Sequence, residues 1–335
     1  MKSVKLVHGK IILTDMPEPK IASPEDVKIK IAFSSICGYE LNVYTGKIPG
    51  INVENIGHEA SGIITDIGRQ VDDLHIGDKV SLNPYYYCGG CESCRKGLRR
   101  FCTNQEMDPH SYMAEYVILN QRQVYRLPDE LSLKEACLIE PLSVAIRAVE
   151  KADLGYNKKL LIIGGGAMGL LALQTATKYP VDGIAVLDPN ENKRTLAKQL
   201  GASMALNPKV DDLYYNLMDF TQGLGFDSII EASGSSECVE STFNLLARGG
   251  SLVLLSMYEV DFQLPISALN LYWKDATIQA VYPSVDSFSQ ALHLAPRLDL
   301  NAVITGVYPY YQAADAFKAK SSQHDHAKVI LNFIT

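Results

Sequence analysis

The sequence predicts an α/β protein with two domains, of which one is rich in β-strands and the other contains a doubly wound parallel sheet. Its 335 residues are too many for one ordinary hydrophobic core. Short strand-like segments separated by Gly and Pro fill about the first 140 residues. From residue 158 onward, apolar strands alternate with helical segments, which is the pattern of a parallel sheet covered by helices.

The β-rich domain is predicted from both ends of the chain. The strand-like segments near the N-terminus are VKIKIAFSSI, EASGIITDIG, KVSLNPYYY and AEYVIL. Gly and Pro separate them as in an antiparallel, barrel-like domain. The strand-and-turn pattern returns after about residue 282 and ends in KVILNF. We therefore expect a discontinuous domain that comprises residues 1–141 and 282–335.

The parallel sheet is predicted between these two segments. KLLIIGG has the composition of a buried strand, and AMGLLALQTATKY carries apolar residues at helical spacing. Further buried strands follow as DGIAVLD, FDSIIEAS and GSLVLLS, with helical segments between them. This alternation predicts a parallel, doubly wound sheet over residues 142–281.

Composition and charge exclude several classes of function. The chain is 47% hydrophobic and 21% charged, as expected of a soluble globular protein, and no apolar run is long enough to span a bilayer. The formal net charge is -7 and the basic residues are mostly scattered, which argues against nucleic acid as a partner. The chain begins MKSVKLVHGK without an apolar signal segment, so we expect a cytoplasmic protein.

Four cysteines form the strongest single motif. Cys88, Cys91, Cys94 and Cys102 follow the spacing C-x2-C-x2-C-x7-C. Such a knuckle brings four thiolates round one point, the closed arrangement in which zinc serves a structural purpose. Disulfides fit poorly, because the expected compartment is reducing and the total of seven cysteines is odd. We predict one structural zinc ion in a lobe at about residues 84–104.

A glycine motif predicts a dinucleotide site. The segment GGGAMG fits G-x-G-x-x-G, follows a strand and begins a helix. In this motif Gly164 permits the tight turn, Gly166 lets the backbone approach a pyrophosphate, and Gly169 lets helix and strand pack closely. We count Met168, in the same turn, among the nucleotide-binding residues. The alternative is a glycine turn that binds no ligand, which the strand–turn–helix context disfavours.

The residues after the second strand predict the cofactor. Asp188 ends that strand about 20 residues beyond the motif, where it would accept hydrogen bonds from the ribose hydroxyls. Its charge would repel a 2′-phosphate, so NAD is favoured over NADP. Lys193 and Arg194 lie just beyond and would weaken that preference.

Three further segments suggest a second metal site. ICGYE, NIGHEA and CLIEPLSVA supply Cys37, His58 with Glu59, and Glu140. A thiolate, an imidazole and a carboxylate suit a catalytic zinc ion that keeps one position open. Each residue also has a simpler interpretation: a core thiol, a buried histidine with satisfied hydrogen bonds, or a helix-start acid. Because the residues are far apart in the sequence, spacing alone does not decide.

The chain resembles zinc-dependent medium-chain dehydrogenases of the alcohol, sorbitol and threonine dehydrogenase type over essentially its whole length. The resemblance rests on GHEASGIITDIGRQVDDLHIGDKV, on the cysteine segment CGGCESCRKGLRRFC and on IEPLSVAIRAV, which is similar to the polyol branch. It implies a GroES-like catalytic domain, a Rossmann domain with the cofactor in the cleft between them, and a homodimer or homotetramer. It also implies Cys37, His58 and either Glu59 or Glu140 around a catalytic zinc ion.

The sequence departs from this family at the substrate site. Family members usually carry Ser or Thr as proton relay two residues after the ligand cysteine, and this chain has Tyr39, a bulkier relay candidate. The polyol branch often has a histidine where Asn42 stands, and the segment between Cys102 and Met113 is short. The zinc chemistry is therefore expected to be intact, whereas the specificity determinants do not match sorbitol.

These features predict a zinc-dependent enzyme that transfers hydride from a secondary alcohol of a polyol, cyclitol or sugar derivative to NAD. Its partners would be a small alcohol and its ketone, without nucleic acid or membrane. Alternative substrates are an amino-cyclitol, a polyol phosphate, a vicinal diol or threonine. From a different class, the chain would be an inactive homologue that acts as a binding protein. The presence of Cys37, His58 and the glycine motif argues against that alternative.

Overall fold

The structure, a computed structural model, describes residues 1–48, 54–104, 111–209, 212–259, 261–283, 285–322 and 325–334. The chain divides into two compact units. The first comprises Met1–Ser143 and Pro283–Thr335, and the second comprises Val144–Tyr282. Within the described residues, no helix is both long enough and apolar enough to cross a membrane.

The strands are numbered in chain order through both units. They are β1 (Lys2–Val7), β2 (Lys10–Asp15), β3 (Asp26–Ser35), β4 (Ala60–Ile67), β5 (Lys79–Leu82), β6 (Tyr116–Asn120), β7 (Val124–Arg126), β8 (Lys159–Ile163), β9 (Gly183–Leu187), β10 (Met204–Leu206), β11 (Phe226–Glu231), β12 (Leu246–Leu254), β13 (Thr277–Ala280), β14 (Ile304–Pro309) and β15 (Lys328–Asn332).

The helices are numbered in the same way, and short 3₁₀ turns are left without labels. They are α1 (Gly38–Tyr44), α2 (Glu92–Arg95), α3 (Leu133–Ala136), α4 (Ile139–Lys151), α5 (Ala167–Ala176), α6 (Glu191–Gln199), α7 (Leu213–Phe220), α8 (Ser236–Asn244), α9 (Ala268–Lys274), α10 (Asp286–Leu294), α11 (Leu300–Val303) and α12 (Ala313–Ser322).

The first unit contains a mostly antiparallel sheet. Its strand order is β14-β15-β3-β4-β5-β7, with β6 paired to β3, and only β14 and β15 run parallel to each other among these pairs. Ile29 and Ile31 of β3 and Val329 of β15 are fully buried in the hydrophobic core of this unit. The pairing of β15 with β3 places a strand from the end of the chain beside the longest strand of the N-terminal segment.

The second unit contains a parallel sheet of order β10-β9-β8-β11-β12-β13. Counted from β8, this is the order 3-2-1-4-5-6 of the Rossmann fold. Leu160, Leu161 and Ile162 of β8 are fully buried because helices cover both faces of such a sheet, so its central strands are apolar throughout. The predicted fold class, a β-rich domain with a doubly wound parallel-sheet domain, is confirmed.

Candidate functional site

The four cysteines of the knuckle lie round one point. Their sulfur atoms all lie within 4.8 Å of one another, and all four thiols are free of disulfide bonds. The Sγ atom of Cys102 lies 3.5 Å from that of Cys88 and 3.9 Å from that of Cys91. A tetrahedron with metal–sulfur bonds of about 2.3 Å has edges of about 3.8 Å, so the four sulfur atoms suit a zinc ion.

Backbone amides favour the thiolate form in this cluster. The backbone N–H of Cys88 donates to Cys102 Sγ, and that of Cys91 donates to Cys88 Sγ, each at 3.4 Å. Backbone hydrogen bonds from Cys94 and Thr103 lower the pKa of the Cys91 thiol to about 6. Burial raises the pKa of Cys94 to about 12. Because the thiolate is the metal ligand, these amides prepare the cluster for a cation.

Two arginines connect the cysteine lobe to the remainder of its unit, one through a hydrogen bond and the other through an ion pair. Arg122 Nη1 donates to the carbonyl oxygen of Cys88 at 3.0 Å. Arg99 lies over the ring of Tyr87 and pairs with Asp286 at 3.3 Å. The segment between Cys102 and Met113 was predicted to be short, and its residues 105–110 lie outside the described residues.

A second cluster forms where β3 ends and β4 begins. The antiparallel register sets Ser34 opposite Ala60, and the backbone N–H of Ser35 donates to the carbonyl oxygen of Glu59 at 2.9 Å. Cys37, just after β3, therefore lies beside His58 and Glu59, just before β4. Their ligand atoms lie within 4.8 Å of one another, so the strand pairing brings together residues that are far apart in sequence.

Glu40 of α1 orients this cluster from one side. Its carboxylate is buried and accepts from the backbone N–H of Cys37 at 2.7 Å and from that of Gly57 at 2.8 Å. Its Oε1 atom also lies 2.9 Å from His58 Nδ1. With Nδ1 engaged by a carboxylate, the imidazole presents Nε2 as its ligand atom.

The charges around His58 attract a cation. Burial by itself lowers the pKa of His58, but Glu40 and Cys37 outweigh it and hold that pKa well above its ordinary value. In turn, burial raises the pKa of Glu40, but His58 and the backbone amides of Cys37 and Gly57 bring it below its ordinary value. The donor set of sulfur, nitrogen and oxygen in a negative environment suits zinc.

Lys328 holds Glu59 from the other side. Its Nζ atom lies 2.8 Å from Oε1 and 2.5 Å from Oε2 of Glu59, and both side chains are almost completely buried. The hydroxyl of Ser35 also donates to Oε2. Both oxygens of Glu59 therefore have protein partners, and the carboxylate is fixed in direction.

Glu140 stands apart from this set. It lies in the first turn of α4 and is buried, but its carboxylate is not one of the ligand atoms that lie within 4.8 Å of one another. Burial, reinforced by the negative charge of Glu59, raises the pKa of Glu140 to about 7, while His58 and Lys328 oppose the shift. Glu140 is thus in electrostatic reach of the cluster without belonging to it.

Tyr39, the predicted proton relay, is the second residue of α1 and is half-buried.

The glycine turn has two close backbone contacts. Gly164 has φ +99°, and a Cβ atom there would lie 2.9 Å from backbone atoms of Ala232 and Ser233. A Cβ atom at Gly169 would lie 1.8 Å from the carbonyl oxygen of Gly164. Gly166, the N-cap of α5, has open space where its Cβ would point. Met168 lies half-buried in the first turn of α5. The turn is thus tight on the protein side and open at the helix N-terminus, where anions bind.

Asp188, directly after β9, is bonded to the glycine turn. Its Oδ2 atom accepts from the backbone N–H of Gly165 at 2.8 Å, and Oδ1 accepts from that of Asn190 at 2.8 Å. A carboxylate oxygen can accept two hydrogen bonds, so capacity remains for a ligand hydroxyl. Arg194 donates to the carbonyl oxygens of Asp188 and Pro189, at 2.9 and 2.8 Å, rather than to the carboxylate. Lys193 is in the first turn of α6, where its backbone N–H is capped by Asn190.

Several residues that fix these sites were not predicted from the sequence. Lys328 and the contacts of Glu40 are the most important, and Lys328 had a signal as the one charge in the apolar segment KVILNF. Glu231 is another: it is fully buried and accepts from the backbone N–H groups of Ser233 and Gly234 and from the hydroxyl of Tyr258. It thereby fixes the peptide against which Gly164 packs.

Comparison with known proteins identifies the two domains. Residues 23–129 match the family model of the alcohol dehydrogenase GroES-like domain, and residues 167–297 match that of the zinc-binding dehydrogenase domain.

Relatives cover almost the entire chain. A D-xylulose reductase from Saccharomyces cerevisiae is 32% identical over 93% of this chain and 92% of its own length. An L-threonine 3-dehydrogenase from Pyrococcus abyssi is 30% identical over 92% of this chain and 90% of its own. The crystal structure of galactitol-1-phosphate dehydrogenase from Escherichia coli superposes with a TM-score of 0.87 at 26% identity, covering 99% of this chain and 100% of that one. With its cysteine knuckle and its thiol–imidazole–carboxylate cluster, the chain belongs to the zinc-dependent alcohol dehydrogenase superfamily of medium-chain dehydrogenases.

Proposed function

We propose that the protein reversibly oxidises a secondary alcohol of a polyol, cyclitol or sugar derivative, with NAD as hydride acceptor and one catalytic zinc ion. The observation that carries this proposal is the convergence of Cys37, His58 and Glu59 in a chain of this family. When bound, zinc supplies Lewis acidity toward the substrate oxygen and the nicotinamide accepts the hydride. The four-cysteine cluster holds a second, structural zinc ion.

In this proposal the residues around the cluster prepare its ligands. Glu40 fixes the tautomer of His58, so that Nε2 faces the metal, and it also holds the backbone of Cys37. The third ligand is Glu59 or Glu140. Glu59 belongs to the set of ligand atoms within 4.8 Å of one another, whereas its two oxygens also pair with Lys328. Tyr39 is the proposed proton relay, because it is two residues from Cys37 and is half-buried.

The proposal assigns NAD to the turn that contains Gly164, Gly166, Met168 and Gly169. A pyrophosphate would accept hydrogen bonds at the N-terminus of α5. The ribose hydroxyls would donate hydrogen bonds to the carboxylate of Asp188. The backbone N–H groups of Gly165 and Asn190 leave lone pairs of that carboxylate free for them. The negative charge of that carboxylate would repel a 2′-phosphate, so NAD is preferred to NADP. The positive charges of Lys193 and Arg194 would weaken this preference.

The substrate class is supported by the relatives, whose names specify a xylulose reductase, a threonine dehydrogenase and a galactitol-1-phosphate dehydrogenase. Polyols are therefore the leading class. Amino-cyclitols, polyol phosphates, vicinal diols and threonine remain alternatives, because Tyr39 and Asn42 depart from the residues typical of sorbitol dehydrogenases.

The test is NADH formation by the zinc-loaded protein across polyols, polyol phosphates, cyclitols, amino-cyclitols, vicinal diols and threonine. We expect zinc-dependent turnover of one class, lost in Cys37→Ser and retained in Cys238→Ser, a matched change at a thiol of similar exposure in the other unit. Equal turnover by the two variants would contradict the assignment. Silence across the panel with NAD still bound would favour an inactive homologue that binds the nucleotide.

The proposal includes a homodimer or homotetramer in the cytoplasm. An open sheet edge supports an oligomer, because within the described residues β13 pairs only with β12. Leu269 and Tyr272 of α9, the helix before β13, are also exposed apolar residues. Sedimentation of the purified protein measures the oligomeric state, and a monomer at micromolar concentration would contradict it. A site of four thiolates that would hold zinc favours a reducing compartment.

A further inference from the structure

Three segments meet at the edge of the parallel sheet where the order of the strands reverses. β8, β11 and β12 are neighbours and run parallel, so the segments that follow them leave the sheet at the same edge. The strand order reverses between β8 and β11, and dinucleotides bind at this point of such sheets. The glycine turn, which follows β8, therefore lies beside the β11 loop, defined as residues 232–234, which follows β11.

The β11 loop is packed closely against both of its neighbours. On one side it contacts the glycine turn, where a Cβ atom at Gly164 would lie 2.9 Å from backbone atoms of Ala232 and Ser233. On the other side a Cβ atom at Gly234, which has φ +71°, would lie 3.0 Å from the carbonyl oxygen of Met257, beyond the end of β12. Because neither contact has room for one added carbon atom, a displacement of the β11 loop would also displace the glycine turn.

Glu231, the last residue of β11, holds this loop through its side chain. Its carboxylate is fully buried and accepts from the backbone N–H groups of Ser233, at 2.8 Å, and Gly234, at 3.3 Å. It also accepts from the hydroxyls of Ser233 and Tyr258. Since a buried carboxylate is costly unless it is hydrogen-bonded, each of these donors stabilises the loop in this conformation.

Tyr258 brings a donor to Glu231 from another segment of the chain. Its side chain is half-buried, and its ring stacks on that of Phe262 with the centroids 5.1 Å apart and the planes at 27°. Burial, and then the negative charge of Glu231, raise the pKa of Tyr258, so its hydroxyl stays protonated and donates. This hydroxyl thus connects the segment after β12 to the carboxylate that holds the β11 loop.

We propose that Tyr258 is a positioning residue for the dinucleotide. Its hydroxyl fixes the β11 loop through Glu231, and the β11 loop in turn supports the glycine turn in the conformation that receives the pyrophosphate. This inference rests on the nucleotide site proposed above and adds to it a residue that the sequence did not predict. Tyr258 fulfils this role without touching the cofactor, so loss of its hydroxyl lowers the affinity for NAD even when the ring stays in place.

The test is a calorimetric titration of the full-length, zinc-loaded protein with NAD, with urea unfolding measured on the same samples. Tyr258→Phe removes the hydroxyl but keeps a ring that can stack on Phe262, and it is expected to weaken NAD binding by about tenfold. Tyr214→Phe is the matched control, because it removes the hydroxyl of an exposed tyrosine in the same unit and should leave the affinity unchanged. A Tyr258→Phe protein that is less stable but binds NAD as the unchanged protein does would have lost only a structural contact, which would overturn the proposal.

A double variant tests whether the hydroxyl acts through Glu231. Glu231→Gln replaces the charged acceptor of the hydroxyl by a neutral amide, so adding Tyr258→Phe to it should weaken NAD binding by much less than tenfold. Losses of affinity that simply add would show that the hydroxyl acts by another route and would overturn the proposal. If the unchanged protein binds no NAD, the proposed nucleotide site is refuted and this inference with it, whereas equal affinities of Tyr258→Phe and the unchanged protein overturn this inference alone.

Discussion

Replacement of Lys328 by Met is the sharpest test of how the thiol–imidazole–carboxylate cluster is built. The side chains of Lys328 and Glu59 are 4% and 1% exposed, so water does not screen their ion pair. Lys328→Met keeps an unbranched side chain in this buried position but removes the ammonium group that pairs with the carboxylate of Glu59. Loss of one partner from a buried, hydrogen-bonded pair costs about 3–5 kcal/mol.

The assay is urea unfolding of the unchanged and variant proteins at equal zinc loading. We expect Lys328→Met to lower the free energy of unfolding by about 3–5 kcal/mol, with no change in the dependence on urea concentration. Lys2→Met is the control, because Lys2 pairs with Asp15 at a similar distance of 2.8 Å but on the surface. This control should leave the stability nearly unchanged.

A double variant separates the charge from the shape of the lysine. In Lys328→Met with Glu59→Gln, a neutral amide replaces the carboxylate left unpaired by the first change, so part of the lost stability should return. A loss for Lys328→Met no greater than that for Lys2→Met would refute the reasoning. The same conclusion would follow if the losses of the two single changes simply added in the double variant.

Three other changes probe the remaining sites. Gly164→Ala is expected to weaken NAD binding in calorimetry by at least about tenfold, because Cβ would press on the Ala232–Ser233 peptide at φ +99°; an unchanged affinity would show that the turn does not hold the nucleotide. Asp188→Ser should shift the ratio of kcat/KM values from NAD toward NADP, and a ratio that stays the same would contradict the role of that carboxylate. Cys91→Ser should release one zinc ion per chain and lower the stability of the lobe, measured by elemental analysis and by proteolysis; full zinc content in the folded variant would exclude the four-sulfur site.

The features that sequence reasoning predicted are those with a local signature. The change from short strands and turns to alternating strands and helices predicts the two domains. The spacing of the cysteines from Cys88 to Cys102 predicts that their sulfur atoms form one cluster. The glycine motif likewise contains its own geometry, as the contacts of Gly164 and Gly169 show.

The contacts that depend on strand register could not be predicted. Lys328 and Glu59 are 269 positions apart, and they meet only because β15 pairs with β3 and β3 with β4. Glu40 has no sequence signal of its own role, because its contacts with the backbone N–H groups of Cys37 and Gly57 and with His58 depend on the turn before β4. Asp188 was expected to face a ribose, and its bonds to Gly165 and Asn190 could be found only from the folded turn.

The central claim is that two separate zinc sites exist and that only the one at Cys37 serves catalysis. The most direct measurement is the zinc content of the unchanged protein, Cys37→Ser and Cys94→Ser by elemental mass spectrometry, with NAD affinity measured on the same samples. The account predicts that Cys37→Ser loses one zinc ion and all turnover but keeps its NAD affinity and its fold, whereas Cys94→Ser loses the other zinc ion. A folded Cys37→Ser protein with its full zinc content, or with turnover intact, would contradict the account.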